Sequence, residues 1–296
     1  MIAITGGAGA MGGRIVRLLR ERGEAVRVLD LEHPEARARV ESLGAEFRHA
    51  DVGDPPSLRG AFDGADAVLH LAALLLARGR TERLARVNTE GTARVLDAVH
   101  ACGVRRFVHV SSISVTYARQ NAYSRSKRDA EALVESSGLD WTILRPALAW
   151  GDPLAAEFGV FRKAVLAFPV LPLPGGGKAR KTPVHVDDLA RAFAACLDTP
   201  PSIGRVLALA GPREVSLHAM ASEIRRAHGR RGIVLPVPAS ACGLLARVVE
   251  HSCQALGIVP LFDWQTFTGL VEDARPSSAE ASSLLSWHPR PWSAEA

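Results

Sequence analysis

The decapeptide "NAYSRSKRDA", residues 121–130, sets Tyr123 four positions before Lys127. The 296-residue chain holds two tyrosines and four lysines, so chance supplies roughly 0.03 pairs at this spacing. On a helix, positions four apart share a face. An unperturbed phenol titrates near pH 10 and is a poor base at neutrality, but a neighbouring ammonium favours the phenolate (about 10 being the free value). Such a pair can take a proton from an alcohol or return one to a carbonyl oxygen. A hydroxyl donor to the same substrate oxygen completes the set. The "VSS" at the end of an apolar run offers Ser112, with Ser111 and Ser114 as competitors of the same type.

A second constellation binds rather than reacts. In "TGGAGAMGG", Gly6, Gly9 and Gly12 recur every third residue between the apolar "IAIT" and a helical pattern. Missing side chains there let the backbone turn tightly and let a pyrophosphate reach the amides at a helix N-terminus. Asp30 ends the next strand-like run, 18 positions past Gly12, which is the context a dinucleotide-binding turn demands. A carboxylate at that point accepts hydrogen bonds from a ribose diol and repels a 2′-phosphate, so NAD is expected over NADP. Arg14 and Arg27 are the cations near enough in sequence to support the alternative. Asp51, in "ADVGD", either reaches the adenine edge or caps a helix starting near Pro55.

The elements that must position these residues are legible as an alternation. "IAIT", "AVRVLD", "AEFRHAD", "DAVLHLAA", "RFVHVSS" and "WTILRP" are strand-like, and segments of 3.6-residue periodicity separate them. The expected fold is α/β, a doubly wound parallel Rossmann sheet with a smaller C-terminal substrate lobe. The first helix should run from about Ala10 to Arg22, turning Ile15, Val16, Leu18 and Leu19 inward and closing at Gly23. Residues 1–150, with a returning segment at about 183–210, should form the nucleotide-binding domain. Residues of about 151–182 and 211–296 should form the lobe.

Composition narrows the partners. The net charge of +5 comes from arginine in a sequence whose acidic residues are mixed throughout, which suits a solvated surface better than a nucleic-acid footprint. The four cysteines have no paired or metal-like spacing, and no other metal-ligand spacing appears. The N-terminus enters a strand at Ile2 and a glycine turn by Gly6, leaving no room for a signal peptide. The apolar stretch "ASACGLLARVVEHSCQALGIVPLF" is interrupted by Arg247, Glu250 and His251 and reads as an amphipathic or buried helix. The expectation is a cytoplasmic protein with a small-molecule substrate, no nucleic-acid partner, no membrane partner and no metal.

Taken in order, these motifs resemble the extended short-chain dehydrogenases/reductases, also called the NAD-dependent epimerase/dehydratase family, over nearly the whole chain. "TGGAGAMGG" looks like the family's glycine turn, "HLAA" (His70 to Ala73) its fourth-strand end, "VNTEGT" its helix asparagine at Asn88, and "YSRSK" its Tyr-x-x-x-Lys. "PVHVDDLARA" and "LSWHP" resemble its late signatures. The resemblance implies catalysis by Ser112, Tyr123 and Lys127, with hydride passing to or from NAD. It implies cofactor contacts from Gly6, Gly9, Ala10, Met11, Gly12, Asp30, Asp51, Val52, Leu71, Ala72, Ala73, Asn88, Tyr123, Lys127 and Pro146. It also implies a homodimer through the helices around residues 81–101 and 123–137.

Departures from the family's pattern bear on substrate. Ile113 and Ser114 follow Ser112 where the family's dehydratases carry an Asp-Glu pair, so dehydration is not expected. The stretch between Ser112 and Tyr123 is short, leaving a pocket that is open on one side or closed from elsewhere. Leu148 stands where nucleotide-sugar enzymes carry an asparagine, and Trp150 precedes Gly151. These two residues either line an apolar pocket or pack a domain junction. Against an apolar substrate, the loop "PLPGGGKARKTP" bears Lys178, Arg180 and Lys181, which either clamp a diphosphate or decorate a surface hairpin. The expected activity is an NAD-dependent dehydrogenase or reductase acting on a secondary alcohol or ketone. The alternatives are a nucleotide-sugar 4-epimerase with tightly bound NAD, and a non-catalytic NAD-binding structural or sensor protein.

Overall fold

Alternate residues of an inner strand face opposite sides of a sheet, and in this chain both sides are apolar. Ile2 and Ile4 join one hydrophobic core while Ala3, between them, joins another. Leu69 and Val68, Val108 and Phe107, and Leu144 and Ile143 divide the same way. A strand buried on both faces needs helices above and below it, and parallel crossovers supply them. In the computed structural model, which describes residues 1–75, 81–151, 156–256 and 263–294, this is the arrangement.

The first half runs β1 (Ile2–Thr5), α1 (Ala10–Glu21), β2 (Val26–Asp30), α2 (Pro34–Ser42), β3 (Glu46–His49) and β4 (Ala67–His70). A helical stretch follows, α3 (Glu82–Leu84) passing through a π-helical turn at Ala85–Glu90 into α4 (Gly91–Ala101). Then come β5 (Arg106–Val110), α5 (Ala122–Glu135) and β6 (Asp140–Pro146). All six strand-like runs of the sequence are therefore strands. The chain continues through β7 (Ala149–Trp150), α6 (Ala156–Ala167), β8 (Val170–Pro174), β9 (Arg180–Lys181), β10 (Val184–His185), α7 (Val186–Leu197) and β11 (Arg205–Leu209). It ends with β12 (Val215–Ser216), α8 (Leu217–Ala227), β13 (Ile233–Val237), α9 (Ala239–Leu256), α10 (Trp264–Val271) and α11 (Ala279–Leu285).

The central sheet has seven strands in the order β11-β6-β5-β4-β1-β2-β3, and every pairing is parallel. Strand order reverses between β1 and β4, which opens a crevice at their C-terminal ends. Ile15, Val16 and Leu19 of α1 and Leu189 and Phe193 of α7 fill one side. Val95, Leu96 and Val99 of α4 and Val134 of α5 fill the other. Leu18, expected inward, is only half-buried at the margin of the first core. A third core gathers Trp150, Phe158, Leu171, Leu173, Met220, Ile224 and Trp292 away from the sheet.

The late motifs meet in space. Asp188, wholly buried in α7, accepts from the backbone amide of Arg290 at 2.7 Å and from its Nε at 3.1 Å. Trp287 Nε1 donates to the Asp188 carbonyl at 2.7 Å. "PVHVDDLARA" and "LSWHP" thus form one joint, and His185 serves as the cap of α7 by accepting from the Asp187 amide at 3.2 Å.

Two glycines are pressed by backbone around the turn after β1, one by the segment after β4 and one by the turn itself. Gly6 has φ +70°, and a Cβ there would lie 2.7 Å from the Ala72 amide nitrogen. At Gly12 an added Cβ would lie 2.4 Å from the Gly7 carbonyl oxygen. Gly9 differs, because its nearest neighbour to an added Cβ is the Gly6 carbonyl at 3.6 Å. Gly12→Ala should therefore lower stability by about 1–3 kcal/mol through forced backbone displacement, whereas Gly9→Ala should leave the thermal midpoint near its starting value. Paired thermal denaturation of the two variants checks this.

Candidate active site

Three elements converge at the C-terminal end of the sheet. The end of β5 delivers Ser112, the first turns of α5 deliver Tyr123 and Lys127, and the turn after β1 delivers the glycines. Helix α5 begins at residue 122 because Asn121 caps it. The Asn121 side chain accepts from the Ser124 amide at 2.8 Å, and Ser124 Oγ accepts from the Asn121 amide at 2.9 Å. This capping box sets the register of Tyr123 one turn before Lys127.

Lys127 is buried, and its Nζ donates to the carbonyl of Val110, the last residue of β5, at 2.7 Å. Burial lowers its pKa from the ordinary lysine value of 10.5 to about 8, and the negative charge of Glu131, one turn further along, partly opposes that fall. Glu131 is held by a two-pronged pair with Arg145 of β6, at 2.9 Å and 2.6 Å. The pair raises the Arg145 pKa. An ammonium next to a buried imidazole should keep that ring neutral. His70, buried between Thr5 Oγ1 at 2.6 Å and Thr92 Oγ1 at 3.0 Å, is lowered to about 3 by burial and by the charge of Lys127. His109, stacked on it at 5.3 Å, is shifted down by the same causes.

Ser112 is half-buried, whereas Ser111 and Ser114 are buried. Ser112 Oγ accepts from the Ser114 amide at 3.2 Å and from the Ser114 hydroxyl at 2.9 Å. Both its lone pairs are thereby engaged and its own proton is left to donate. Of the three serines, Ser112 alone combines exposure with that polarisation.

On the nucleotide side, Asp30 lies where the sequence puts it. Its carboxylate accepts from the Ala8 amide, within the glycine turn, at 2.9 Å and from the Leu31 amide at 2.8 Å. Helix α1 has no side-chain cap at Gly9 and no acidic residue in its first turn. Its N-terminus with Ala10 and Met11, and the open space over Gly9, fit a pyrophosphate. Leu71 and Ala72 are half-buried and Ala73 is exposed beyond β4, where the Ala72 amide donates to Thr5 Oγ1 at 3.3 Å. Asn88, in the π-helical turn, bonds both ways to Leu74, at 2.7 Å and 2.9 Å, and donates to Ser126 Oγ at 3.0 Å. It therefore staples the post-β4 segment to α5. Pro146 is half-buried at the end of β6.

Several expectations meet a different arrangement. Asp51 does not cap a helix near Pro55. Its carboxylate closes a tight turn by accepting from the Gly53 amide at 2.7 Å, and Asp54 precedes the single turn Pro55–Leu58. The neighbouring Val52 is buried. Neither Arg14 nor Arg27 is near Asp30's carboxylate partners. Arg14 pairs with Asp187 at 3.0 Å, and Arg27 pairs with Glu46 at 2.9 Å and reaches the Asp63 carbonyl. The cation at the glycine turn is Arg39, whose Nη2 donates to the Ala8 carbonyl at 2.5 Å. Trp150 packs in the third core, edge-on to His185 at 4.7 Å and to Trp292 at 5.1 Å, while Leu148 is half-buried. The cationic loop forms no three-pronged clamp. Lys178 is exposed, Arg180 pairs with Glu214 at 2.8 Å, and Lys181 is buried with Nζ on the Glu272 carbonyl at 2.6 Å.

The segments leaving β4 and β5 are bonded to a late helix that no sequence signal marks. Trp264 Nε1 of α10 donates to the Gln120 carbonyl at 3.2 Å, and Asn121 Nδ2 donates to Thr268 Oγ1 at 2.8 Å. Gln265 Nε2 donates to the Leu75 carbonyl at 2.9 Å. Beyond α10, Glu272 pairs with Arg119 at 2.8 Å and accepts from the Ala118 amide at 3.2 Å. One late helix thus ties together the segments leaving β4 and β5.

A family model described as NAD(P)H-binding matches residues 6–200. A ceramide reductase of Caulobacter vibrioides is 34% identical over 203 residues, which are 68% of this chain and 62% of that one. The chain spans less than two thirds of the length of the curated relatives it matches first. The crystal structure of gox2253 superposes with a TM-score of 0.78 at 24% identity, covering 98% of this chain and 94% of that one. A UDP-glucose 4-epimerase from Thermotoga maritima, solved with UDP-glucose, gives 0.76 at 22% identity over 99% and 95%.

Because burial lowers the Lys127 pKa, the unfolded chain binds more protons than the folded one between about pH 8 and 10.5, and this group's contribution to stability rises with pH across that window. By NMR of 15N-labelled lysine, with Lys127→Met as the assignment control, one ammonium should titrate at about 8. Glu131→Gln should move it lower.

Proposed function

The chain belongs to the NAD(P)H-binding extended short-chain dehydrogenases/reductases, and from that premise we propose that it is an NAD-dependent oxidoreductase interconverting a secondary alcohol and a ketone. The observation that carries this reading is the buried Lys127 ammonium, fixed on the end of β5 one helical turn from Tyr123 and two residues from Ser112. A charge so held lowers the cost of the Tyr123 phenolate.

In the oxidative direction, the Ser112 hydroxyl donates to the substrate oxygen while Tyr123 takes the alcohol proton. In reduction, Tyr123 returns that proton to the carbonyl oxygen as negative charge develops there. Lys127 holds its position and charge throughout and does not exchange its proton with substrate. Bound NAD supplies the hydride acceptor, and NADH the donor, beside the carbinol carbon. Asp30 would hold the adenosine ribose and the α1 N-terminus the pyrophosphate of bound NAD.

The substrate we favour is apolar. Leu148 offers a hydrocarbon surface after β6, and two of the three cations that would hold a diphosphate, Arg180 and Lys181, are engaged by Glu214 and by the Glu272 carbonyl. The likeness to a ceramide reductase points the same way. The epimerase reading loses its principal support with Arg180, and a non-catalytic role leaves the Tyr123–Lys127 pair without a use.

Two measurements test the reading. Fluorescence titration should give tighter binding of NAD and NADH than of NADP and NADPH, with Asp30→Ala narrowing the gap. A preference for the phosphorylated pair would instead make Arg39 the recognition group. With an accepted alcohol or ketone, Tyr123→Phe should lower turnover by about 10² or more while cofactor affinity stays within a few-fold. Near-full activity in that variant would remove Tyr123 from the chemistry.

A further inference from the structure

Strand β13 pairs with β8 in parallel, with Ile233 beside Val170 and Leu235 beside Pro172. Leu171 and Leu173 point into the third core, so the alternate residues of β8 point out. Val170 is 46% exposed, Ile233 62%, Leu235 46%, and Phe168, just before β8, 57%. Nine of the ten large hydrophobic residues exposed among the described residues lie from Val160 to Val248. An apolar ladder of this kind, contiguous and outward-facing, marks a contact surface.

The charge around it is one-sided. No aspartate or glutamate occurs from Phe158 to Val186 or from Ile224 to Val249, although 31 of the 296 residues are acidic. Lys163, Arg226, Arg230 and Arg231 are exposed there and, among the described residues, make no ion pair, whereas Arg27, Arg37 and Arg213 elsewhere on the surface each pair with a carboxylate. The basic turn is fixed beside the ladder. The Ile233 amide donates to the Pro169 carbonyl at 2.9 Å, and Arg225 Nη2 donates to the Phe168 carbonyl at 2.8 Å. A Cβ at Gly232 would lie 2.4 Å from the Pro169 carbonyl oxygen, so a larger residue there would push the turn away from the ladder.

We propose that this face, Phe168, Val170, Ile233 and Leu235 with Arg226, Arg230 and Arg231 at its edge, docks on the surface of an anionic lipid bilayer. A bilayer surface offers acyl chains for the ladder and negative headgroups for the unpaired cations together. A second copy of this chain meeting the face symmetrically would set cations against cations. Nucleic acid would satisfy the arginines and leave the aliphatic ladder in water. The docking is peripheral, since no described helix is long and apolar enough to cross a membrane. It rests on no part of the hydride-transfer reading.

The test is flotation of the full-length protein with vesicles of pure phosphatidylcholine or with about 30% phosphatidylglycerol, at low salt and at about 0.5 M salt. Binding should require the anionic lipid and weaken with salt. Ile233→Ser with Phe168→Ser, and separately Arg230→Glu with Arg231→Glu, should each reduce it at least tenfold while thermal midpoint and NADH binding are retained. No flotation, equal flotation on neutral vesicles, or flotation undiminished in both variants overturns the proposal. So does a dimer, seen by sedimentation, that Ile233→Ser with Phe168→Ser dissociates, since the face then belongs to a second copy.

Discussion

One buried hydrogen bond organises the reactive end of the sheet, that from Lys127 Nζ to the Val110 carbonyl. An ammonium removed from water is unfavourable unless its protons are bonded and its charge is answered. The carbonyl at the end of β5 answers the first need. Glu131, held by Arg145, contributes to the second, so the requirement propagates from α5 into β6. Burial, reinforced by the same charge, keeps His70 and His109 neutral in the neighbouring interior. Helix α5 therefore cannot slide along β5 without stranding a cation. The position of Tyr123 is inherited from that constraint and from the Asn121 capping box at the other end of the same helical turn.

The sheet was legible because its signals are local. Apolar runs of four to eight residues, punctuated by Gly6, Gly23 and the other turn residues, specify strand and helix within a short window, and all six runs became strands. Asp30 was legible for the same reason, since its partner Ala8 is fixed by the turn that the glycines announce. What the sequence concealed is non-local. Arg39 is nine positions beyond Asp30 on a helix of little apolar pattern, yet its guanidinium returns to the glycine turn. Lys181 sits in a loop rich in glycine and cations, which resembles a surface hairpin. It is buried because Glu272, ninety-one positions later, presents a carbonyl to it. Trp150 has the side chain of a pocket wall, but the third core needs its volume between Trp292 and His185.

The lobe is stitched from segments far apart in the chain, and its joints are polar rather than merely apolar. Asp188 receives the amide and guanidinium of Arg290, and the Glu272 carboxylate receives Arg119 and the Ala118 amide. Each is a buried carboxylate whose desolvation is fully offset only when its distant partner arrives, although Asp188 also has Arg191 of its own helix beside it. Such joints discriminate sharply between the correct docking and a slightly displaced one, where a purely aliphatic contact would tolerate either.

That dependence has a temporal side. A chain growing from its N-terminus finishes all seven strands of the sheet by residue 209, and with them Ser112, Tyr123 and Lys127, before the ribosome has made Trp264, Gln265, Thr268 or Glu272. The nucleotide-binding layer can fold as a unit at that stage, as N-terminal units commonly do. The segments leaving β4 and β5 lack these particular ties until residues 264–272 have been made. The groups proposed to react are thus placed first and the late ties across the segments leaving β4 and β5 last, so that an interrupted chain keeps the sheet and the Tyr123–Lys127 helix without the contacts of α10.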